Sequence, residues 1–248
     1  MNPVENIWRS IFGNWLSTRV FRSENDIDTT RAELRARLVP ARGRVLAVPM
    51  RVIGLTGGIG MGKSTAAAAF RRARLPVFDA DAAVHRLQAD GGAALPAIAA
   101  AFPGTVRLRD GGRSLDRPAL RAAVIGHEAA LRRLEAILHP MVRHEEAAFL
   151  ARARRAGARA AVLDIPLLLE TGGERRVDLV LVVSAPRAVQ VRRVARRRGM
   201  TALQIAAIIA RQMPDAEKRR RADVVVRTGL SRHHALRPLR RLILDLLR

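Results

Sequence analysis

The residues best equipped for chemistry are Gly57-Gly-Ile-Gly-Met-Gly62-Lys63-Ser64, which match the pattern G-x-x-x-x-G-K-[ST] in full. Glycines at this spacing let consecutive backbone N–H groups turn inward around phosphate oxygens, and a following helix adds the positive end of its dipole. Lys63 then reaches the β- and γ-phosphates, and the Ser64 hydroxyl is a ligand for Mg²⁺. Asp79 and Asp81, spaced by two, share one side if the strand before them continues that far. A carboxylate there can accept the proton of an attacking hydroxyl or hold Mg²⁺ through water, and Asp is equally common there as a strand-to-helix cap. Asp164 closes an apolar run, where an acid contacts Mg²⁺ directly or through water, or again simply caps. Arg193 and Arg197 are four apart on an arginine-rich helix, on one face, and can close over phosphates; a solvated charged face is the commoner fate of such a run.

The pattern around these residues sets their scaffold. Residues 52–56, 75–78, 160–164, 177–183 and 224–226 are short apolar runs separated by helical periodicity. Continuous apolar strands alternating with helices imply an α/β fold, a five-stranded parallel sheet flanked by helices. The glycine-rich segment follows the first run and precedes an alanine-rich helix, the context the motif requires. Helical periodicity extends from about residue 82 to 101. A turn-rich stretch follows over 102–113, and Asp116 caps a helix with Pro118 in its first turn. Periodicity then runs to about 156, with a kink or break expected at His139-Pro140. Pro186 starts another helix, Thr201-x-x-Gln204 opens the next, and a last one occupies 231–247.

Composition narrows the functional classes. The chain has 248 residues, no cysteine and a formal charge of +23. Thiolate chemistry and disulfides are therefore excluded. No apolar run approaches a membrane span and the start does not read as a signal peptide, so a soluble cytoplasmic protein is expected. Of 45 basic side chains, Lys63 and Lys218 are the only lysines. An excess of arginine suits nucleic acid or small polyanions, but aromatic residues make up 3% and there is no tyrosine to stack on bases. The guanine-reading Asn-Lys-x-Asp motif is also ruled out, because all four asparagines precede residue 26. Those asparagines and both tryptophans lie in the first 25 residues. Residues 1–49 carry a net +3 and the remainder +20. This break favours Met50 as the true start, with 1–49 an upstream stretch; the other reading is an appendage with an amphipathic helix around 7–20.

As an ordered set, these residues resemble the dephospho-CoA kinase family. The resemblance rests on 53–65, Asp79-Ala-Asp81, Leu138-His139-Pro140, Asp164-Ile-Pro-Leu-Leu-Leu-Glu170, the Arg193/Arg197 helix, Gln212 and Ala222-Asp223, and spans nearly all of 50–248. It implies a P-loop kinase core with a helical substrate-binding insertion at about 82–156 and a lid at about 186–212. The implied reaction is ATP-dependent phosphorylation of the ribose 3′-hydroxyl of dephospho-CoA, the final step of coenzyme A biosynthesis. Another small-molecule P-loop kinase is the alternative, and a basic nucleic-acid-binding protein with a vestigial P-loop a more distant one.

The resemblance implies that Asp81 is the base, with Lys63, Arg193 and Arg197 beside it in catalysis. Gly58, Ile59, Gly60, Met61, Gly62, Lys63, Ser64 and Thr65 would hold ATP. Asp79, Asp81, His139, Pro166, Leu167 and Glu170 would face dephospho-CoA, and Ser64 and Asp164 would hold Mg²⁺, directly or through water. The partner expected is this small molecule, without nucleic acid or membrane, on a monomer or small homo-oligomer. The family commonly has Asp then Asn or Thr after the last strand, whereas Arg227-Thr228 stands here, and residues 1–49 have no expected counterpart.

Overall fold

The computed structural model of the protein describes residues 49–109, 112–196, 202–210, 212–229 and 232–247. The reading of 1–49, apart from Pro49, and the placement of Arg197, Thr201 and Ser231 lie outside these residues.

Five strands form one parallel sheet: β1 (Arg51–Thr56), β2 (Val77–Asp79), β5 (Ala160–Asp164), β6 (Leu179–Ser184) and β7 (Val224–Arg227). Their order is β2-β5-β1-β6-β7, so β1 is central, and the chain fills one side of it with β2 and β5 before crossing to the other with β6 and β7. Ligands of open α/β sheets bind beyond the carboxyl ends at such a reversal. All five residues of β5 are buried, as are Val52 to Thr56 of β1, which is why these strands read as unbroken apolar runs.

One face of the sheet presents Ile53, Leu55, Val162, Leu181 and Val183 to two helices, α1 (Lys63–Arg72) and α9 (Arg232–Leu247), through Phe70, Leu239 and Ile243. The other presents Val52, Leu163, Val180 and Val182 to Leu168, Leu169 and the helix α5 (Glu128–Arg155). A third core lies outside the sheet. It joins α2 (Ala80–Leu87), α3 (Leu95–Ala101), α4 (Arg117–Val124) and the front half of α5 around Leu87, Ile98, Leu120, Leu134 and Leu138. A short 3₁₀ turn, Gly173–Arg176, and the helices α6 (Arg187–Ala195), α7 (Ala202–Ala210) and α8 (Asp215–Arg220) complete the chain.

Several local expectations are corrected. The helical pattern over 82–101 is two helices, broken around Gly91-Gly92, where residue 91 has φ +71°. The turn-rich stretch contains an antiparallel hairpin, β3 (Val106–Arg109) and β4 (Gly112–Leu115), whose Val106 and Leu115 pair and pack on the helical core. Of the kink or break expected at Pro140, the break is absent: helix α5 continues through it. Ile137, Leu138 and Met141 pack on the helical core, Phe149 and Leu150 on the sheet core, and Val142 on both. Tertiary packing on either side of the proline offsets the hydrogen bond it removes. Asp116 caps α4 as expected, its Oδ1 accepting the Ala119 N–H at 3.0 Å.

Candidate active site

The P-loop leaves the carboxyl end of central β1 and enters α1. Gly62 is the N-cap of α1 with φ +99°, a backbone state that a side chain would strain, so glycine is needed for the loop to turn into the helix. Gly60 has φ +74°, and a Cβ on it would stand 2.7 Å from Val194 Cγ2. That glycine lets α6 lie directly on the loop. Ser64 and Thr65 are exposed at the start of α1, where the positive end of the helix dipole favours anions. Met61 contributes only backbone here: its side chain is buried, with Sδ accepting from the Ala185 N–H.

The strand register then gathers the acids. Asp79 on β2 pairs with Asp164 on β5, and Leu55 on β1 pairs with the same Asp164. Asp164 is buried, and its Oδ1 accepts from Lys63 Nζ at 2.5 Å. Burial pushes the Asp164 carboxyl above its ordinary range and Asp79 pushes the same way; Lys63 and Arg71 pull it back. The two aspartates expected on one side of a strand belong to different elements. Asp79 ends β2 and caps α2, with Oδ1 accepting the Ala82 N–H at 2.9 Å. Asp81 lies in the first turn of α2, where the dipole favours a carboxylate. The cap role and the site role of Asp79 are therefore compatible.

Three of the residues expected to face dephospho-CoA are not open to solvent. Pro166, Leu167 and Glu170 are all buried. The Pro166 carbonyl accepts from Thr56 Oγ1 at 2.8 Å, and Leu167 is core. Glu170 pairs with Lys218 at 2.5 Å and accepts the Met213 N–H at 3.2 Å. These side chains fix the floor of the segment after β5 instead of presenting an open surface. His139 is on α5, half-buried, with its imidazole held below the ordinary value by burial and secondarily by Arg143.

Arg193 is turned onto the loop itself. Its Nη1 donates to Gly60 O at 3.3 Å and to Thr228 Oγ1 at 2.8 Å, and its Nη2 donates to Thr228 O at 2.6 Å. Gln190 Nε2 donates to Ile59 O at 2.9 Å, and the Ile59 N–H donates to Gln212 Oε1 at 3.0 Å. Sequence reasoning did not assign Gln190, Thr228 or Lys218 these roles. Each acts over more than 40 residues of chain separation, so no local spacing signals it.

Comparison with known proteins agrees with this arrangement. The family model described as dephospho-CoA kinase matches residues 51–231. A dephospho-CoA kinase of Paramagnetospirillum magneticum is 61% identical over 170 residues, 68% of this chain and 78% of that one. One from Gluconobacter oxydans is 52% identical over 199 residues, 78% of this chain and 96% of its own. Among solved structures, a Thermus thermophilus protein is 36% identical with TM-score 0.68, covering 79% of this chain and 98% of that one. The dephospho-CoA kinase of Campylobacter jejuni shares the fold at 22% identity, TM-score 0.60, covering 79% and 96%. With a P-loop on the central strand, acids gathered at the carboxyl edge and relatives of this similarity, the chain belongs to the dephospho-CoA kinase family.

Proposed function

We propose that the protein transfers the γ-phosphoryl group of ATP to the ribose 3′-hydroxyl of dephospho-CoA, giving coenzyme A and ADP. The observation that carries this reading is the row Lys63–Asp164–Asp79 at the carboxyl end of the sheet, with Asp81 in the first turn of the adjoining helix. A cation and a P-loop beside carboxylates, two of them at the start of a helix of the helical subdomain, support this reading.

In the mechanism proposed, the P-loop amides and the head of α1 hold the ATP phosphates, and Lys63 exchanges Asp164 for a phosphate oxygen. Asp81 accepts the 3′-hydroxyl proton as that oxygen bonds to Pγ and the bond from Pγ to the bridging oxygen of ADP breaks. The subdomain of α2 to α5 holds dephospho-CoA, with His139 on its inner helix. Arginines of the lid segment, Arg193 and Arg197, neutralise the transferred charge and exclude water.

The donor set suits Mg²⁺. The exposed Ser64 hydroxyl and the buried Asp164 carboxylate are hard oxygen ligands, and among the described residues no cluster of three acids or histidines could enclose an ion. An ion taking few protein ligands and several from phosphate and water fits such a site; when bound it would neutralise charge on the β- and γ-phosphates.

The test is ADP release with dephospho-CoA as acceptor against nucleoside, nucleotide and shikimate acceptors. Turnover specific to dephospho-CoA is expected; phosphorylation of another acceptor in its place overturns the reading. Asp81→Asn should lower kcat by about 10²–10⁴-fold with the KM for ATP little changed. Near-normal turnover would remove Asp81 as base.

A further inference from the structure

A phosphate cradle turns several of its loop amides inward, and the carbonyls that then face outward need partners. The partners here can be named in sequence. Gly58 O accepts from the Met61 N–H at 3.1 Å, within the loop. Ile59 O takes Gln190 Nε2 and Gly60 O takes Arg193 Nη1. Met61 O takes the hydroxyl proton of Thr228 at 2.5 Å, and Gly62 O enters the first turn of α1 through the Thr65 and Ala66 N–H groups.

Thr228 joins the sheet, the loop and Arg193. Its own N–H donates to Ser184 O at 2.8 Å, which ties it to β6 and so to the sheet. Its hydroxyl donates to the P-loop and accepts from Arg193, and its carbonyl accepts the other arm of the same guanidinium. The side chain also lies against Gly62, where a Cβ would come within 3.2 Å of Thr228 Oγ1. Thr228 is 9% exposed, so water does not readily replace a lost partner.

We propose that Thr228 is a positioning residue for the donor nucleotide. Its hydroxyl fixes the Met61 carbonyl outward and, by holding Arg193 across Gly60 and itself, sets the loop curvature that aims the amides at phosphate. This rests on the kinase reading for its nucleotide and not for its acceptor. Thr228 sits just past the last strand and reaches the loop across 167 residues of chain.

The test measures ATP binding by calorimetry on the full chain without acceptor, then steady-state kinetics. Thr228→Val keeps the shape and removes the hydroxyl, leaving the Met61 carbonyl and one Arg193 N–H unpaired. Expected are about a tenfold loss of ATP affinity, a matching rise in the KM for ATP, and a much smaller change in kcat and in the KM for dephospho-CoA. Thr228→Ser should restore wild-type ATP binding. In a double-mutant cycle with Arg193→Gln, the combined loss of ATP affinity should fall short of the product of the two single losses. Wild-type ATP affinity in Thr228→Val, a Ser variant as weak as the Val variant, or strictly multiplicative losses would each overturn the proposal. If the Val variant does not fold, Thr228→Ala takes its place and must show the same ATP-specific loss. Failure on dephospho-CoA with this loss intact overturns the acceptor assignment alone.

Discussion

Lys63 and Lys218 each stand 2.5 Å from a carboxylate oxygen, and no other lysine occurs in a chain whose remaining 43 cations are arginine. Their surroundings differ. The Lys63 side chain is 19% exposed beside an Asp164 side chain at 5%, at the edge where phosphate would arrive. The Lys218 and Glu170 side chains are 1% and 4% exposed, and the ammonium also reaches Pro166 O at 3.5 Å. Exposure decides what the same pair can do. Access to the first lets an incoming anion compete for the ammonium, whereas the second is sealed and joins the segment after β5 to α8. Both places suit a compact ammonium better than a planar guanidinium, so they keep lysine against the composition.

The contrast can be broken most forcefully at the open pair. Lys63→Met should lower kcat/KM by about 10²–10³-fold while the melting temperature moves by only a few degrees, read by coupled assay and thermal melt. A large loss of stability with modest loss of turnover would make Lys63 a structural lysine. At the closed pair the expectation inverts. Lys218→Met strands a buried carboxylate and should cost about 3–5 kcal/mol, roughly 6–20 °C in melting temperature for a chain of this size. A melt like that of the wild type would erase the distinction.

A finer test replaces both members. Lys218→Met with Glu170→Leu should recover most of the stability, because an apolar pair needs no desolvation. A rise in the KM for dephospho-CoA in that double variant would show that Glu170 also touches the acceptor. The smallest effect concerns a half-buried base pressed by a like charge instead of an opposite one. Burial, and then Arg143, depress the His139 value, so the folded state favours the neutral ring. The unfolded chain protonates first as pH falls below 6.5, so stability is full above that value and declines through the lower folded one. His139→Asn should flatten this decline in denaturant midpoints measured across that range.

Much of this architecture is legible in the sequence because two signals are local. The P-loop is contiguous, and strands buried on both faces, such as Ala160–Asp164, are apolar throughout. The hairpin at Val106–Leu115 escapes this logic. Its strands are four residues each, Arg107 and Arg109 interrupt the first, and its order comes from two residues packed on another element. Asp81 shows a subtler limit: its proximity to Asp79 is readable, but the change from strand to helix between them redirects it. Lys218 with Glu170, and Thr228 with the P-loop, are hidden because the partners meet only after the sheet has assembled.

The proline of α5 has a mechanical consequence. At 1.5 Å per residue, the 28 residues make a beam of about 42 Å. Its front half is bolted to the helical subdomain and its rear half to the sheet. Pro140 supplies no N–H to the carbonyl four residues back, at Ala136, so flexing the beam there stretches one bond fewer than flexing it elsewhere. That gap falls close to Val142, where the beam passes from one core to the other. The softest tilt of the helical subdomain against the sheet is thus built into one residue, at the boundary between their two cores.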